Sequence, residues 1–140
     1  MENLKLHYVE VLNAYKRLEH IIVKLHNARL KVCPDEDDIL AYRDSVIKRF
    51  EFSYDLTWKL LKAYLETNYS VLVASPKKVF RECFDQNFIT EEEARQFLNM
   101  ADDRNLTTHT YSEDMAEQIS IRIVVYYEVM RAVLERLYKA

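Results

Sequence analysis

Glycine is absent from all 140 positions and proline occurs only twice. Phosphate-binding loops and dinucleotide fingerprints need glycine for positive φ and close backbone approach, so nucleotide binding through either device is excluded. Tight turns are hard to make in such a chain, and nearly all of it is expected to be helix. Cysteine is scarce as well: Cys33 and Cys83 stand far apart and form no Cys-x-x-Cys pair. The N-terminus, Met1-Glu2-Asn3-Leu4-Lys5, carries no secretory apolar region, so a reducing cytoplasm is the expected location. Apolar runs fall far short of the roughly 20 residues of a membrane span, and no membrane partner is expected. Basic charge is not in excess, since 20 Lys and Arg face 23 Asp and Glu for a net charge of −3. A generic nucleic-acid coat would be strongly basic; any RNA contact here must be local.

What is present is helical periodicity. A length of 140 residues fits one domain, 1–140, that can bury a sizeable core without a metal or disulfide staple. From Leu4 the apolar positions step through Tyr8, Val11, Tyr15, Leu18, Ile22 and Leu25, a heptad seam on one long helix. The pattern breaks at Cys33-Pro34-Asp35, and a second helix is expected to start near Asp35 to Asp38. In that helix Asp44, Lys48, Glu51, Asp55, Lys59, Lys62 and Glu66 form one polar stripe. The remaining arc, including Val46, Ile47, Phe50, Phe52, Tyr54, Trp58, Leu61 and Leu65, is too wide for a lone surface helix. The helix is therefore central or shared with a second subunit, a hint of dimerisation.

Ser75-Pro76 reads as an N-cap with proline at the first helical position, opening a short helix to about Gln86, with Asn87 as a left-handed cap in place of glycine. Thr90 with Glu93 and Thr110 with Glu113 read as capping boxes that open two further helices. The expected fold is all-α, an up-and-down bundle of about four to five helices.

Few residues stand out as chemistry. Two Ser-x-x-Lys matches, Ser45 to Lys48 and Ser75 to Lys78, lack the glycine-containing partner motif of acyl-transferring enzymes and are chance. His7, His20 and His26 lack the spacing that aims two imidazoles at one ion, so no metal is expected, and no cofactor. The stretch Asp102-Asp103-Arg104-Asn105-Leu106-Thr107-Thr108-His109-Thr110-Tyr111 is different. Adjacent carboxylates do not face each other on a helix, so Asp102 and Asp103 are no general acid/base pair, although one Asp could orient Arg104. Arg104 and His109 would lie roughly 140° apart on an unbroken helix. A capping box at Thr110 supplies a break and sets His109 just before the last helix, whose free N–H groups attract phosphate oxygens. Arg104 adds a permanently charged fork, and His109 an imidazole that is a candidate proton-transfer group. Two readings are open. In one the stretch is an anion cradle with a proton-transfer group; in the other Arg104 pairs with an acid, a threonine caps the helix and His109 is incidental.

Three blocks, Lys48-Arg49-Phe50-Glu51-Phe52-Ser53-Tyr54-Asp55-Leu56-Thr57-Trp58-Lys59, Ser75-Pro76-Lys77-Lys78-Val79-Phe80-Arg81-Glu82 and Asp103 to Tyr111, resemble the nucleotidyltransferase substrate-binding family of the HEPN superfamily, in the family's order. The resemblance implies an HEPN-like homodimer working beside a separately encoded minimal nucleotidyltransferase, usually as half of a toxin–antitoxin-like pair. It implies that Arg104 and His109 are the catalytic residues of a metal-independent endoribonuclease that leaves a 2′,3′-cyclic phosphate. Asp103, Asn105 and Glu51 fall in the matched blocks as supporting residues, Glu51 also being explained by the charged stripe. Some relatives extend the motif to Arg-x4-His-x-Tyr, which Tyr111 completes, and in them the tyrosine accepts AMP from the partner; a packed helix-entry aromatic is the alternative. The other function class is a non-catalytic module that binds substrate or nucleotide for the nucleotidyltransferase.

Overall fold

The computed structural model describes residues 2–139, which form α1 (Glu2–Arg29), α2 (Glu36–Tyr69), α3 (Pro76–Asp85), α4 (Glu91–Thr107) and α5 (Glu113–Lys139). Side-chain pairings give the directions. Tyr15 bonds Thr57 and Lys24 lies over the Tyr42 ring, so α1 and α2 run antiparallel. Arg43 reaches Glu113 while Thr57 reaches Met130, so α2 and α5 run parallel. Asp103 meets Arg122 and Glu93 meets Arg136, so α4 runs against α5. The result is the expected all-α up-and-down bundle, with α3 as a short crosspiece. Among the described residues no helix is long and apolar enough to cross a membrane.

The seam of α1 is buried at Val11, Tyr15, Leu18 and Leu25. The wide apolar arc of α2 follows from its central place, since α2 packs on each of the other four helices. Phe50 and Tyr54 meet Tyr126 and Phe80, and Phe80 stacks on Phe97 at 4.7 Å. Aromatic rings of this size each bury a large apolar area, and they link α2 to α3, α4 and α5. Phe52 stays outside that arc and is 55% exposed.

Helix ends are built without glycine. The Asp35 side chain accepts the N–H groups of Asp37 and Asp38, while Ser70 and Asn87 take the left-handed conformation at φ 55 and 66 that glycine would ordinarily fill. Thr90 and Glu93 form the expected capping box, with both reciprocal bonds in place at 3.1 and 2.8 Å. Ser75 and Pro76 open α3 as expected, but the Ser75 side chain makes no capping bond.

The start of α5 corrects the sequence expectation. Ser112, not Thr110, precedes the helix: its Oγ accepts the Met115 N–H at 3.1 Å and its carbonyl the Ala116 N–H at 3.0 Å. Glu113 cannot reach back to Thr110, because its carboxylate turns to the buried Arg43 guanidinium of α2 at 2.6 Å. An ion pair with a buried guanidinium at that length outweighs the bond the same carboxylate would accept from one backbone N–H.

Candidate functional site

The last turn of α4 sets the site. Thr107 and Thr108 donate their hydroxyls to the carbonyls of Arg104 and Asn105 at 2.9 and 2.7 Å. The backbone tightens in the same turn, the Thr108 and His109 N–H groups each bonding a carbonyl three residues back at 3.3 Å, and α4 ends there. His109 therefore lies two residues past the carbonyl end of α4 and four before Glu113, not at the amide end of α5. The expected phosphate cradle at the α5 N-terminus is not formed: Ser112 caps it, and Glu113 and Asp114 fill its first turn. His109 is exposed, and among the described residues its imidazole makes no hydrogen bond or ion pair.

Adjacent residues of a helix are about 100° apart, and this separates Asp103 from Arg104. Asp103, 6% exposed, turns to α5 and accepts Arg122 Nε and Nη2 at 2.8 and 2.9 Å and the Tyr126 hydroxyl at 2.6 Å. Burial, followed by the neighbouring carboxylate, pushes the Tyr126 phenol up and keeps it a donor. Asp103 thus anchors α4 and does not orient Arg104. Asp102 is also turned away, held by Lys77 of α3 at 2.7 Å.

Arg104 points the other way, to the polar stripe of α2. Its Nε and Nη2 donate to the two oxygens of Asp55, both at 3.2 Å. Its Nη1 donates to Glu51 Oε2 at 2.6 Å and to Thr107 Oγ at 3.5 Å. The bond to Asp55 is the main influence raising the guanidinium further above its ordinary value, against some desolvation. Glu51 is thus in contact with Arg104, while Asn105 is exposed and engages only through its carbonyl.

Tyr111 is half-buried and packs on the core. Burial first, then the charges of Asp44, Glu51 and Glu113, raise its phenol, and Arg43 acts in the opposite sense. Glu51 thus bonds Arg104 and lies near enough to Tyr111 for its charge to act on the phenol. Beside them Arg43, only 4% exposed, joins Asp44, Glu113 and Glu117, and Glu117 pairs with Arg29 of α1. This ladder fixes the end of the loop that carries His109 and Tyr111.

Asp55 and Arg43 were not singled out from the sequence. Asp55 stands one helical turn beyond Glu51, a spacing that lets two carboxylates straddle a guanidinium. Arg43 falls on the apolar arc with Val46, Ile47 and Phe50, an arginine where a core residue belongs. Among the described residues no cluster of His, Cys, Asp or Glu is placed to hold a metal. Cys83 is buried and its thiol is pushed up to about 12, which makes it inert at neutral pH.

The arrangement is an open surface. A groove of about 530 Å³ lies at the opposite end of the bundle among Leu4, Tyr8, Leu60, Tyr64, Leu137 and Tyr138, mostly apolar and remote from Arg104. The end of α4 is the better chemical candidate, because Arg104 and the exposed His109 both lie there within five residues of chain, and an open surface admits a polymer.

The family described as "Nucleotidyltransferase substrate binding protein like" matches residues 6–139. A crystal structure from Thermus thermophilus is 38% identical, covers 86% of this chain and 98% of its own, and superposes with a TM-score of 0.68. The chain also shares its fold with a tri-AMPylated Shewanella oneidensis HEPN toxin solved in complex with MNT antitoxin. That similarity has a TM-score of 0.75 at 14% identity and covers 98% of this chain and 97% of that one. A mutant MntA-HpeT toxin–antitoxin structure is similar at TM-score 0.69 and 15% identity, covering 93% and 98%. No curated protein matches the chain.

Proposed function

The chain belongs to the nucleotidyltransferase substrate-binding protein-like family, and from that premise we propose that it is the helical partner of a separately encoded minimal nucleotidyltransferase, acting as a metal-independent endoribonuclease toxin. The observation that carries this reading is that Arg104, in the last turn of α4 and held by α2 carboxylates, is followed just past the helix end by an exposed His109. The HEPN fold shared with a toxin solved beside its antitoxin supports the same partnership.

In the proposed reaction the ribose 2′-oxygen attacks the adjacent phosphorus as its proton passes to a base, and the 5′-oxygen leaves with a proton. His109 serves one of these transfers, and the second His109 of a homodimer serves the other. Arg104 stabilises the extra negative charge of the pentacoordinate phosphate. The products are a 2′,3′-cyclic phosphate and a 5′-hydroxyl. Asp103 supports the site by fixing α4, Glu51 by contacting Arg104, and Asn105 lies beside them on the open face. Tyr111 is the proposed AMP acceptor: its phenolic oxygen attacks the α-phosphorus of ATP, pyrophosphate leaves, and the added charge and bulk obstruct RNA. Exposed apolar side chains on α5, Ile121, Val124 and Val125, with Phe52 on α2, offer area for a homodimer.

One observation favours the non-catalytic alternative. Arg104 is already paired with two carboxylates, in a protein of net charge −3. Incubating the full chain with structured RNA in EDTA separates the two classes. Cleavage is expected from the wild type and not from Arg104→Ala or His109→Ala; equal cleavage by all three rejects the ribonuclease assignment to this site. Intact mass after incubation with the nucleotidyltransferase and ATP tests Tyr111, since an adduct that persists in Tyr111→Phe removes the acceptor role. Sedimentation as a monomer at micromolar concentration would remove the shared site.

A further inference from the structure

A guanidinium has five N–H donors. In this protein four hydrogen bonds from Arg104 end on protein oxygens: two on Asp55, one on Glu51 and one on Thr107. Only the outward N–H of Nη2 is left. A phosphate gripped by an arginine fork takes two parallel N–H groups; of the two edges that offer them, Nη1 with Nη2 has its Nη1 donors taken by Glu51 and Thr107, and Nε with Nη2 is filled by the Asp55 carboxylate. Asp55 therefore has the shape, charge and bidentate geometry that a phosphate would present at that place.

The two acids differ in how firmly they are held. Glu51 is 17% exposed and makes the 2.6 Å contact, whereas Asp55 is 39% exposed and makes both of its contacts at 3.2 Å. Asp55 is the larger influence on the guanidinium through its two bonds, but an ion pair this exposed is screened by water and open to displacement by another anion. The shorter, more enclosed Glu51 contact stays and keeps the guanidinium plane oriented while its other edge is vacated.

We infer that Asp55 is an internal stand-in for the substrate phosphate, occupying the Arg104 fork until RNA displaces it, while Glu51 is the permanent positioning residue. This rests on the reading of Arg104 as the phosphate-binding residue. Asp55 thereby limits RNA binding: only a substrate with further contacts on the same face can compete with a carboxylate already in place.

The test is fluorescence anisotropy of the full chain with a labelled 2′-O-methyl RNA oligonucleotide, which cannot be cleaved because its 2′-oxygens are blocked. Asp55→Asn and Asp55→Ser are each expected to bind about fivefold tighter than wild type, the size of one released surface ion pair. Glu66→Gln is the matched control. Glu66 is also 39% exposed, sits on the same helix and pairs with Lys62, so its loss changes charge equally without freeing Arg104. It is expected to change affinity by less than about twofold. Adding Arg104→Ala to Asp55→Asn is expected to erase the gain. Weaker binding by both Asp55 variants, a gain no larger than that of Glu66→Gln, or a gain that survives Arg104→Ala would each overturn the inference. Cleavage in EDTA is scored separately. If Arg104→Ala cuts like wild type, the ribonuclease reading fails; if it is inactive while the Asp55 variants bind no tighter, the inference alone fails.

Discussion

Asp103 and Arg104 are neighbours on α4, and each joins a carboxylate to a guanidinium, yet the two sides of the helix behave as different materials. On the α5 side the carboxylate is buried and receives three donors, two from Arg122 and one from Tyr126. On the α2 side the guanidinium is 21% exposed, less than the 40% of Arg122, and it is the bidentate carboxylate, Asp55, that is open to solvent at 39%. The same chemical pair is expected to act as a lock where its carboxylate is buried and as a weaker contact where its carboxylate meets water. Burial of the acid, not residue type, decides which.

That contrast can be broken from either side. The largest stability effect is expected from Arg122→Ala, which strands the buried Asp103 carboxylate with one phenol. A loss of about 2–3 kcal/mol is expected in urea unfolding, and a loss under about 1 kcal/mol would mean that Asp103 is no lock. Arg104→Ala should invert the pattern. Cleavage of RNA in EDTA falls by about 100-fold or more, while stability changes by no more than about 1 kcal/mol. Tyr126→Phe removes one donor from Asp103 and leaves the ring in the core, for a loss of about 1–1.5 kcal/mol by the same unfolding measurement.

The smallest effect lies at the other end of α4. Burial tends to raise the Glu93 carboxyl, but Arg136 and the Thr90 backbone N–H outweigh it and hold the group below its ordinary 4.5. A carboxyl that is depressed in the folded state contributes stability fully above its unfolded value, and that contribution is lost as pH falls through the folded value. Urea midpoints should therefore drop below pH 4.5, and Arg136→Met should flatten that drop. An unchanged acid limb in the variant would remove the linkage.

The sequence made local features legible and distant ones illegible. The Thr90 box, the Asn87 turn and the seam from Val11 to Leu25 rest on contacts within a turn or on a single helix face, where spacing suffices. The start of α5 was misplaced because Glu113 is claimed by Arg43, 70 positions away in the chain. The partner of Arg104 was sought beside it, at Asp102 or Asp103, although helix geometry turns a preceding residue to another face. Its real partners, Glu51 and Asp55, were visible only as members of a regular charged stripe. The family could be named from three blocks of sequence, and the match over residues 6–139 bears that out.

A chain without glycine also keeps something in reserve. Ser70 and Asn87 hold a left-handed backbone at a cost of roughly 1 kcal/mol each relative to a residue without a Cβ. Both positions lie away from the Arg104 face, so either can mutate to glycine without disturbing it. An evolving lineage, or a protein engineer, could draw on that slack to tolerate changes near Arg104 that the bundle would otherwise be too fragile to carry.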